Sequence, residues 1–569
     1  MNDADWIVLL LTLVLVVLYG LWKSKGQHGA DTFVRAGRQM PWHVVLLGIM
    51  ATQASAITFI SGPGQAYTDG MRFIQYYFGL PLAMIVISAV FVPIFQKLNV
   101  YTAYEYLDKR FDRKTRLFTG ILFLFSRGVS TGISVYAPAI VLSSIFGWNI
   151  YLANILIGGV LIIYSYTGGA QAIAHTQKVQ FLIILAAMAF AGFLVVHLLP
   201  HGIGLTDALY IAGKTGKLNV ITTDFDWNDK YNVWSGVIGG FFLALSYFGT
   251  DQSQVGRYLS GKDLRQSRLG LLMNGMVKIP MQFGILLIGA LLFSFFIINK
   301  GPLFFNESAA QKVAKVSPEA YQPLFIEHQL TVNHNQQTAL DLLALRGRGG
   351  EDAGRQRFFL VNELNKGNTL LKEQRREISQ LINKNRAIIG EPESDVNYVF
   401  LYFVQHYLPV GATGLIFAII FLASWSSISA AVNALASSSL IDFHQVLLRR
   451  DLSEKEQLRY GRLYTLIWGG FGILVACFAT RMGSLIEAVN ELGSLFYGAI
   501  LGIFLTAFFL KWIKGEAVFF AAITAELGVL LIYFNHWVSF LWLNVIGALL
   551  VIVFAAAIEW ISSKKYALK

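Results

Sequence analysis

The sequence predicts an all-α membrane protein that crosses the bilayer about thirteen times, and three observations carry that reading. Hydrophobic residues make up 55% of the 569 and charged residues 14%, against the roughly 25% charge of an ordinary soluble chain. The apolar residues gather in thirteen runs of spanning length. The bases behind the net charge of +11 lie between those runs, where a membrane protein keeps its cytoplasmic charge. A disordered, collagen-like or disulfide-built chain is excluded. The single cysteine, Cys477, excludes an internal disulfide and a cysteine metal site. With the bases dispersed, nucleic acid is not an expected partner.

The first run, 6–22, holds 17 uncharged residues. It is preceded by Asp3 and Asp5 and followed by Lys23 and Lys25, the reverse of a secretory signal. It reads as a permanent helix with its N-terminus outside. Further spans are expected at 43–66, 73–96, 117–146, 150–170, 179–199, 234–256, 273–299, 411–441, 462–481, 484–510, 516–534 and 539–561. An odd count places the C-terminus in the cytoplasm. The loops then predicted to be cytoplasmic carry Lys97, Lys109, Arg110, Arg113, Lys114 and Arg116, then Lys262, Arg265 and Arg268, then Arg449, Arg450, Lys455, Arg459 and Arg462, and finally Lys511, Lys514, Lys564 and Lys565. The loop 200–233, with Asp224, Asp226 and Asp229, falls outside. So does the polar segment 301–398, which has twelve acids and twelve bases. The segment reads as mostly helical, most plainly over 354–388, and as a solvated cap, with a partner-binding module as the alternative.

Enzyme motifs are missing. HExxH and GxSxG do not occur, and Ala212-Gly213-Lys214-Thr215 lacks the earlier glycine of a phosphate-binding loop, Ala208 standing in its place. Coupling to ATP and catalysis are therefore not expected.

Polar groups inside the spans need a reason. Ser426, Ser429 and Asn433 stand at i, i+3 and i+7 on one face of 411–441, with Ala423 and Ser427 beside them. In 43–66, Ala51, Ala54, Ser55 and Thr58 share a face just before Ser61-Gly62-Pro63-Gly64. The glycines and proline should interrupt that helix and free backbone carbonyls in mid-membrane, as at ion sites of secondary transporters. The span 234–256 has a matching weakness at Tyr247-Phe248-Gly249-Thr250-Asp251-Gln252. With the first helix set aside, the interrupted helices are the first and sixth, which fits a five-plus-five inverted repeat. Hydroxyl and carbonyl oxygens without a carboxylate favour sodium over a proton. Two bases lie deep in spans. Arg127, eleven residues past Arg116, is about 16 Å along its helix and near the midplane. It must pair with a carboxylate, for which Asp251, Glu487 and Glu491 are candidates, or face a polar cavity. Lys278 is similarly placed, ten residues past Arg268.

These pieces resemble the sodium/solute symporter family. The resemblance runs through Ala51-Thr-Gln-Ala-Ser-Ala-Ile-Thr-Phe-Ile60, Tyr101-Thr-Ala-Tyr-Glu-Tyr-Leu-Asp-Lys-Arg-Phe111, Tyr164-Ser-Tyr-Thr-Gly-Gly-Ala-Gln-Ala172, Asp251-Gln-Ser-Gln-Val-Gly-Arg-Tyr-Leu259 and Ser424-Trp-Ser-Ser-Ile-Ser-Ala-Ala-Val-Asn-Ala-Leu-Ala436. It covers nearly the whole chain except 301–398. Val135-Tyr-Ala-Pro-Ala139 and Val432-Asn-Ala-Leu-Ala436 look most like the branch of monocarboxylate, multivitamin, iodide and sialic acid carriers. The resemblance implies the inverted-repeat fold of the leucine transporter. The chain then divides into an additional helix and loop (1–42), a first repeat (43–199), an outer loop (200–233), the start of the second repeat (234–300), the insertion (301–398), the rest of that repeat (399–510) and additional C-terminal helices (511–569).

The resemblance also implies a main sodium site at Ala51, Ala54, Ala423, Ser426 and Ser427. A second ion would use Ser55, Thr58 and Ser429, although Ala430 stands where one more hydroxyl is usual. Gln177 replaces a customary aspartate that supports the main site. Matching solute-site positions include Gln53, Thr58, Phe73, Tyr77, Tyr247 and Lys278, with Arg127 near a carboxylate-binding arginine. Sodium is the co-transported ion, with no organic cofactor. The expected protein is a plasma-membrane symporter, acting as a monomer, for a small organic solute. An anion is favoured through Arg127; a sugar or polyol is the alternative, and a solute sensor the second.

Overall fold

The computed structural model describes residues 1–24, 40–98, 100–448 and 452–567. Lys25, Arg449 and Arg450 lie outside the described residues, as do the side chains of Lys23, Thr176, Lys565 and the 167–172 motif. Among the described residues the architecture is all-α. Nine helices are long and apolar enough to cross a membrane, with shorter apolar helices at Trp42–Gln53, Ile150–Tyr166 and Ser235–Thr250.

Helix α1 is Asp3–Ser24. The next span is split, as expected, into α2 (Trp42–Gln53) and α3 (Ala56–Asp69). The break falls at Ala54 and Ser55, nearly two turns before the Ser-Gly-Pro-Gly run expected to cause it; Pro63 is accommodated inside α3. A 3-10 stretch, Gly70–Tyr77, leads into α4 (Leu80–Val86), which continues to Lys97. Then come α5 (Arg113–Phe146) and α6 (Ile150–His197). The spans expected at 150–170 and 179–199 are joined without a loop in α6, whose 48 residues run about 72 Å at 1.5 Å per residue, more than two bilayer cores. No proline falls within it to force a stop. The span at 234–256 is also split, into α7 (Gly240–Thr250) and α8 (Gln252–Leu259), at Asp251. Helix α9 is Leu264–Ile298.

The insertion is mostly helical. Pro318–Ala344 (α10) pairs with Glu351–Lys384 (α11). The first of these was hidden by Pro323 and by its many polar residues. The segment is docked as well as solvated: Gln336 Nε2 donates to the Ile298 carbonyl (2.6 Å), His328 Nε2 lies 3.0 Å from the Gly301 carbonyl, and Arg375 stands 3.4 Å from Asp395 and over the rings of Tyr67 and Phe305. The remaining spans are α12 (Ala412–Ser438), α13 (Glu454–Phe478), α14 (Leu485–Phe509), α15 (Gly515–Phe534) and α16 (Phe540–Ala567).

Helix α12 is enclosed on all sides, packed against α1, α2, α5, α6 and α13. Two bases counted as loop charges serve the packing. Arg110 donates to the carbonyls of Ala507, Leu510 and Ile513, at the end of α14 and in the turn that follows it. Arg116 is buried against Asp442 (2.9 Å), which also accepts from Thr102 and Ser438, each at 2.7 Å. Helices α3 and α9 meet at Gly289, where a Cβ would stand 2.2 Å from the Pro63 carbonyl oxygen, whereas a Cβ at Gly284 would meet nothing. Gly289→Ala should therefore cost about 1–3 kcal/mol. Thermal unfolding in detergent should show a lower midpoint for it and an unchanged one for Gly284→Ala.

Candidate functional site

The break between α2 and α3 positions the first group of oxygens. Ala54 (φ −80°, ψ 67°) and Ser55 (φ −81°, ψ 171°) leave the helical ladder. The carbonyls of Ala51, Thr52, Gln53 and Ala54 thereby lose their usual helical donors. Thr58 Oγ1 donates to the Gln53 carbonyl at 3.2 Å. Across the break, Ser426 Oγ lies 3.5 Å from the Ala51 carbonyl oxygen. Two ligands on adjacent corners of a cation with bonds of about 2.4 Å stand about 3.4 Å apart, that bond length being typical of calcium, an ion of similar radius. Ser427 Oγ is 3.0 Å from the Ala423 carbonyl oxygen. Ala51, Ala54, Ala423, Ser426 and Ser427 are all buried. Gln177 on α6 donates Nε2 to the Ser426 carbonyl (3.2 Å), and its Oε1 has no hydrogen-bond partner among the described residues. The amide thus supports the backbone that carries the hydroxyls.

Ser55, Thr58 and Ser427 border a central cavity of about 130 Å³. Ser429 does not join them. Its hydroxyl lies 3.1 Å from Ser165 Oγ on α6. Three residues turn a helix by about 300°, leaving Ser429 some 60° off Ser426, enough to change the helix it faces. The expected second set of ion ligands is therefore divided.

The cavity is also lined by Gln53, Tyr77, Arg127, Tyr247 and Lys278. Phe73 is not in the lining. In the 3-10 stretch, residues three apart eclipse, so Phe73 stacks beneath Tyr76 (5.5 Å between ring centroids) and Tyr76 and Tyr77 reach the cavity instead. Arg127 lines the cavity, but its charge is already met. Its Nε is 3.0 Å from Asp251 Oδ2, and a second guanidinium nitrogen contacts the same oxygen. Tyr497 OH donates to that oxygen at 3.1 Å, while Asp251 Oδ1 caps α8 at Ser253 N (2.8 Å). Neither Glu487 nor Glu491 is the partner. The expectation that Arg127 awaits a solute carboxylate fails, because the break at Asp251 places an aspartate there.

Lys278 has no such neighbour. Its ammonium lies 5.3 Å from the Tyr77 ring centroid and forms no hydrogen bond or ion pair among the described residues. No aspartate or glutamate lines the cavity. Asn274, one turn before Lys278, holds Gln53 Nε2 at 2.9 Å. Asn274, Lys278 and Gln282 form a polar i, i+4, i+8 stripe that the sequence displayed, and of the three Lys278 lines the cavity. Tyr76, Ser130, Thr131, Asn490 and Tyr497 complete much of the polar lining. On the insertion side, hydrogen bonds join α3 and its neighbours to the start of α14: Ser61–Ser484 (3.1 Å), Gln65–Glu487 (3.1 Å), Tyr231–Glu487 (2.6 Å) and Tyr76–Asn490 (2.9 Å).

Removing one member of a buried ion pair costs about 3–5 kcal/mol, while replacing both with apolar groups is often neutral. Arg127→Met should sharply reduce the yield and thermal stability of folded protein. The double variant Arg127→Met/Asp251→Leu should recover most of the loss in a thermal double-mutant cycle.

Residues 33–328 and 378–524 match the model of the sodium:solute symporter family. The unmatched stretch between them falls in α10 and α11. The human sodium/iodide cotransporter is 30% identical over 336 residues, 57% of this chain and 49% of that protein. The sodium/sialic acid symporter NanT of Aliivibrio fischeri is 24% identical over 96% of this chain and 91% of that protein. Human sodium-coupled monocarboxylate transporter 1 is 32% identical over 48% of this chain. The chain thus aligns to about half the length of these two human relatives, 49% and 44%. A solved substrate-bound, outward-open Na+-coupled sialic acid symporter superposes with a TM-score of 0.75 at 20% identity, covering 98% of both chains, so the two share their fold.

Proposed function

The chain belongs to the sodium:solute symporter family, and from that premise we propose that it imports a small organic anion together with sodium by alternating access. The observation that carries the ion reading is the approach of Ser426 Oγ to the Ala51 carbonyl, 3.5 Å across a helix break that borders the cavity. Sodium held by Ala51, Ala54, Ala423, Ser426 and Ser427 would join α2 and α3 to α12. The solute would then occupy the space beside it, and closure would follow. Inward movement of one positive charge contributes about 2.3 kcal/mol per 100 mV. The protein works as a plasma-membrane monomer and transporter rather than an enzyme. Its N-terminus and insertion face outward and its C-terminus faces the cytoplasm, as the distribution of loop bases supports.

The solute reading rests on Lys278 rather than Arg127. A cation on a membrane-spanning helix needs a partner, and a cavity lined by no acid offers none until an anion enters. Tyr77 suits that occupant, since a carboxylate at its position would repel it. The cavity volume of about 130 Å³ is near the 150 Å³ or so that accommodates benzene. A short monocarboxylate matches this scale, and a sialic acid would require the cavity to open.

Two measurements test the reading. Ser426→Ala and Ser427→Ala should each raise the sodium concentration for half-maximal uptake, by about tenfold for the loss of a ligand worth about 1.4 kcal/mol. Unchanged sodium dependence in the double variant would remove the ion assignment. Lys278→Gln should lower carboxylate affinity by about ten- to a hundredfold, the value of a charge-assisted hydrogen bond of roughly 1.5–3 kcal/mol, while sodium still raises the thermal stability. Retained carboxylate uptake, or uptake of neutral sugars alone by the native protein, would replace the anion with a sugar or polyol.

A further inference from the structure

A second cavity, of about 200 Å³, lies where the insertion meets the ends of α3 and α9. Its floor is aromatic, formed by Tyr67, Phe293 and Phe296, and its walls carry Lys217, Lys372 and Arg375. No aspartate or glutamate lines it. Of its three bases, only Arg375 has a carboxylate partner, Asp395 at 3.4 Å.

Lys217 is 7% exposed. Its ammonium donates to the Thr68 carbonyl and lies 4.6 Å from the Phe293 ring centroid, with no ion pair among the described residues. Burial and the neighbouring Lys372 push its pKa down to about 7, with Asp69 acting in the opposite direction. Lys372 reaches the same space from α11 and forms no hydrogen bond or ion pair among the described residues. Between these bases, Asn335 donates Nδ2 to Asn368 Oδ1 at 3.4 Å, leaving Asn368 Nδ2 without a hydrogen-bond partner among the described residues. Two lysines without an ion pair and an unused amide donor above aromatic rings suit one kind of occupant: negative at one end, apolar at the other.

We propose that this cavity binds a small organic carboxylate, its oxygens between Lys217 and Lys372 and its carbon skeleton over Tyr67 and Phe296. Tyr67 and Thr68 belong to the last turn of α3, so occupancy would connect the insertion to the half-helix whose other end borders the central cavity. The site is separate from the central one, and the proposal does not depend on sodium coupling or on the solute carried.

The test uses the full chain in detergent, in sodium-free choline buffer. Lactate, pyruvate and N-acetylneuraminate are titrated as choline salts by calorimetry, with choline chloride and inorganic phosphate as controls. At least one carboxylate should bind without sodium. Lys372→Gln should weaken that binding tenfold or more and leave sodium-driven uptake in place, as its exposed side chain has no packing role. Lys372→Glu should abolish the binding. Lys278→Gln should leave it unchanged, which separates this site from the central one. The proposal is overturned if no carboxylate binds without sodium, if binding survives Lys372→Glu, or if phosphate or chloride binds as tightly as the carboxylates.

Discussion

A helix broken inside a membrane must find partners for the groups it frees, because hydrocarbon supplies none. The two breaks in this chain meet that constraint differently. At Asp251 the protein's own side chains supply the partners. The aspartate caps α8 with one oxygen and gives the other to Arg127 and Tyr497, while Tyr104 OH donates to the Thr250 carbonyl at 2.9 Å. At Ala54 and Ser55 the chain supplies hydroxyls but no cationic side chain. The Ala51 carbonyl faces a serine hydroxyl at long range. One break is neutralised by the protein's own arginine, and the other is left suited to an ion that can leave.

That asymmetry explains why one cation is structural and another is available. Arg127 and Lys278 both stand deep in membrane-spanning helices and both border the central cavity. The guanidinium fork can serve Asp251 through two nitrogens at once. Lys278 faces Tyr77, an aromatic surface that attracts a cation without neutralising it. The hydrogen bonds between Glu487 and both Gln65 and Tyr231 hold α14 against α3 on the insertion side. The same half-helix therefore carries ion oxygens at one end and the insertion contact through Tyr67 at the other.

Much of this was legible in the sequence. Small polar residues at helical spacing marked the span that breaks and brought Ala51, Ser426 and Ser427 together as candidates, because helix faces follow from a fixed period, although the glycine-proline run expected to cause the break lies inside α3. The errors came where the period was not 3.6 or where a partner lay far along the chain. Phe73 was assigned to the cavity through the family resemblance, and the 3-10 turn placed Tyr76 there. Ser429 was grouped with Thr58, although a 60° offset on a fully enclosed helix selects a different neighbour. Asp251 was named among three possible partners of Arg127, but a contact across 124 residues could not be chosen from spacing. The insertion was read as a cap, since an even charge balance looks the same in a solvated segment as in a docked one.

Thermodynamic linkage between ion and solute tests the central claim most directly. If sodium at the α2–α3 break and solute beside Lys278 stabilise one common state, each must tighten the other by the same factor. Calorimetric titration of a transported carboxylate should show affinity rising with sodium, and titration of sodium at saturating carboxylate should show the same factor. The linkage should be lost in Ser426→Ala/Ser427→Ala. Solute affinity that ignores sodium in the native protein would contradict the account.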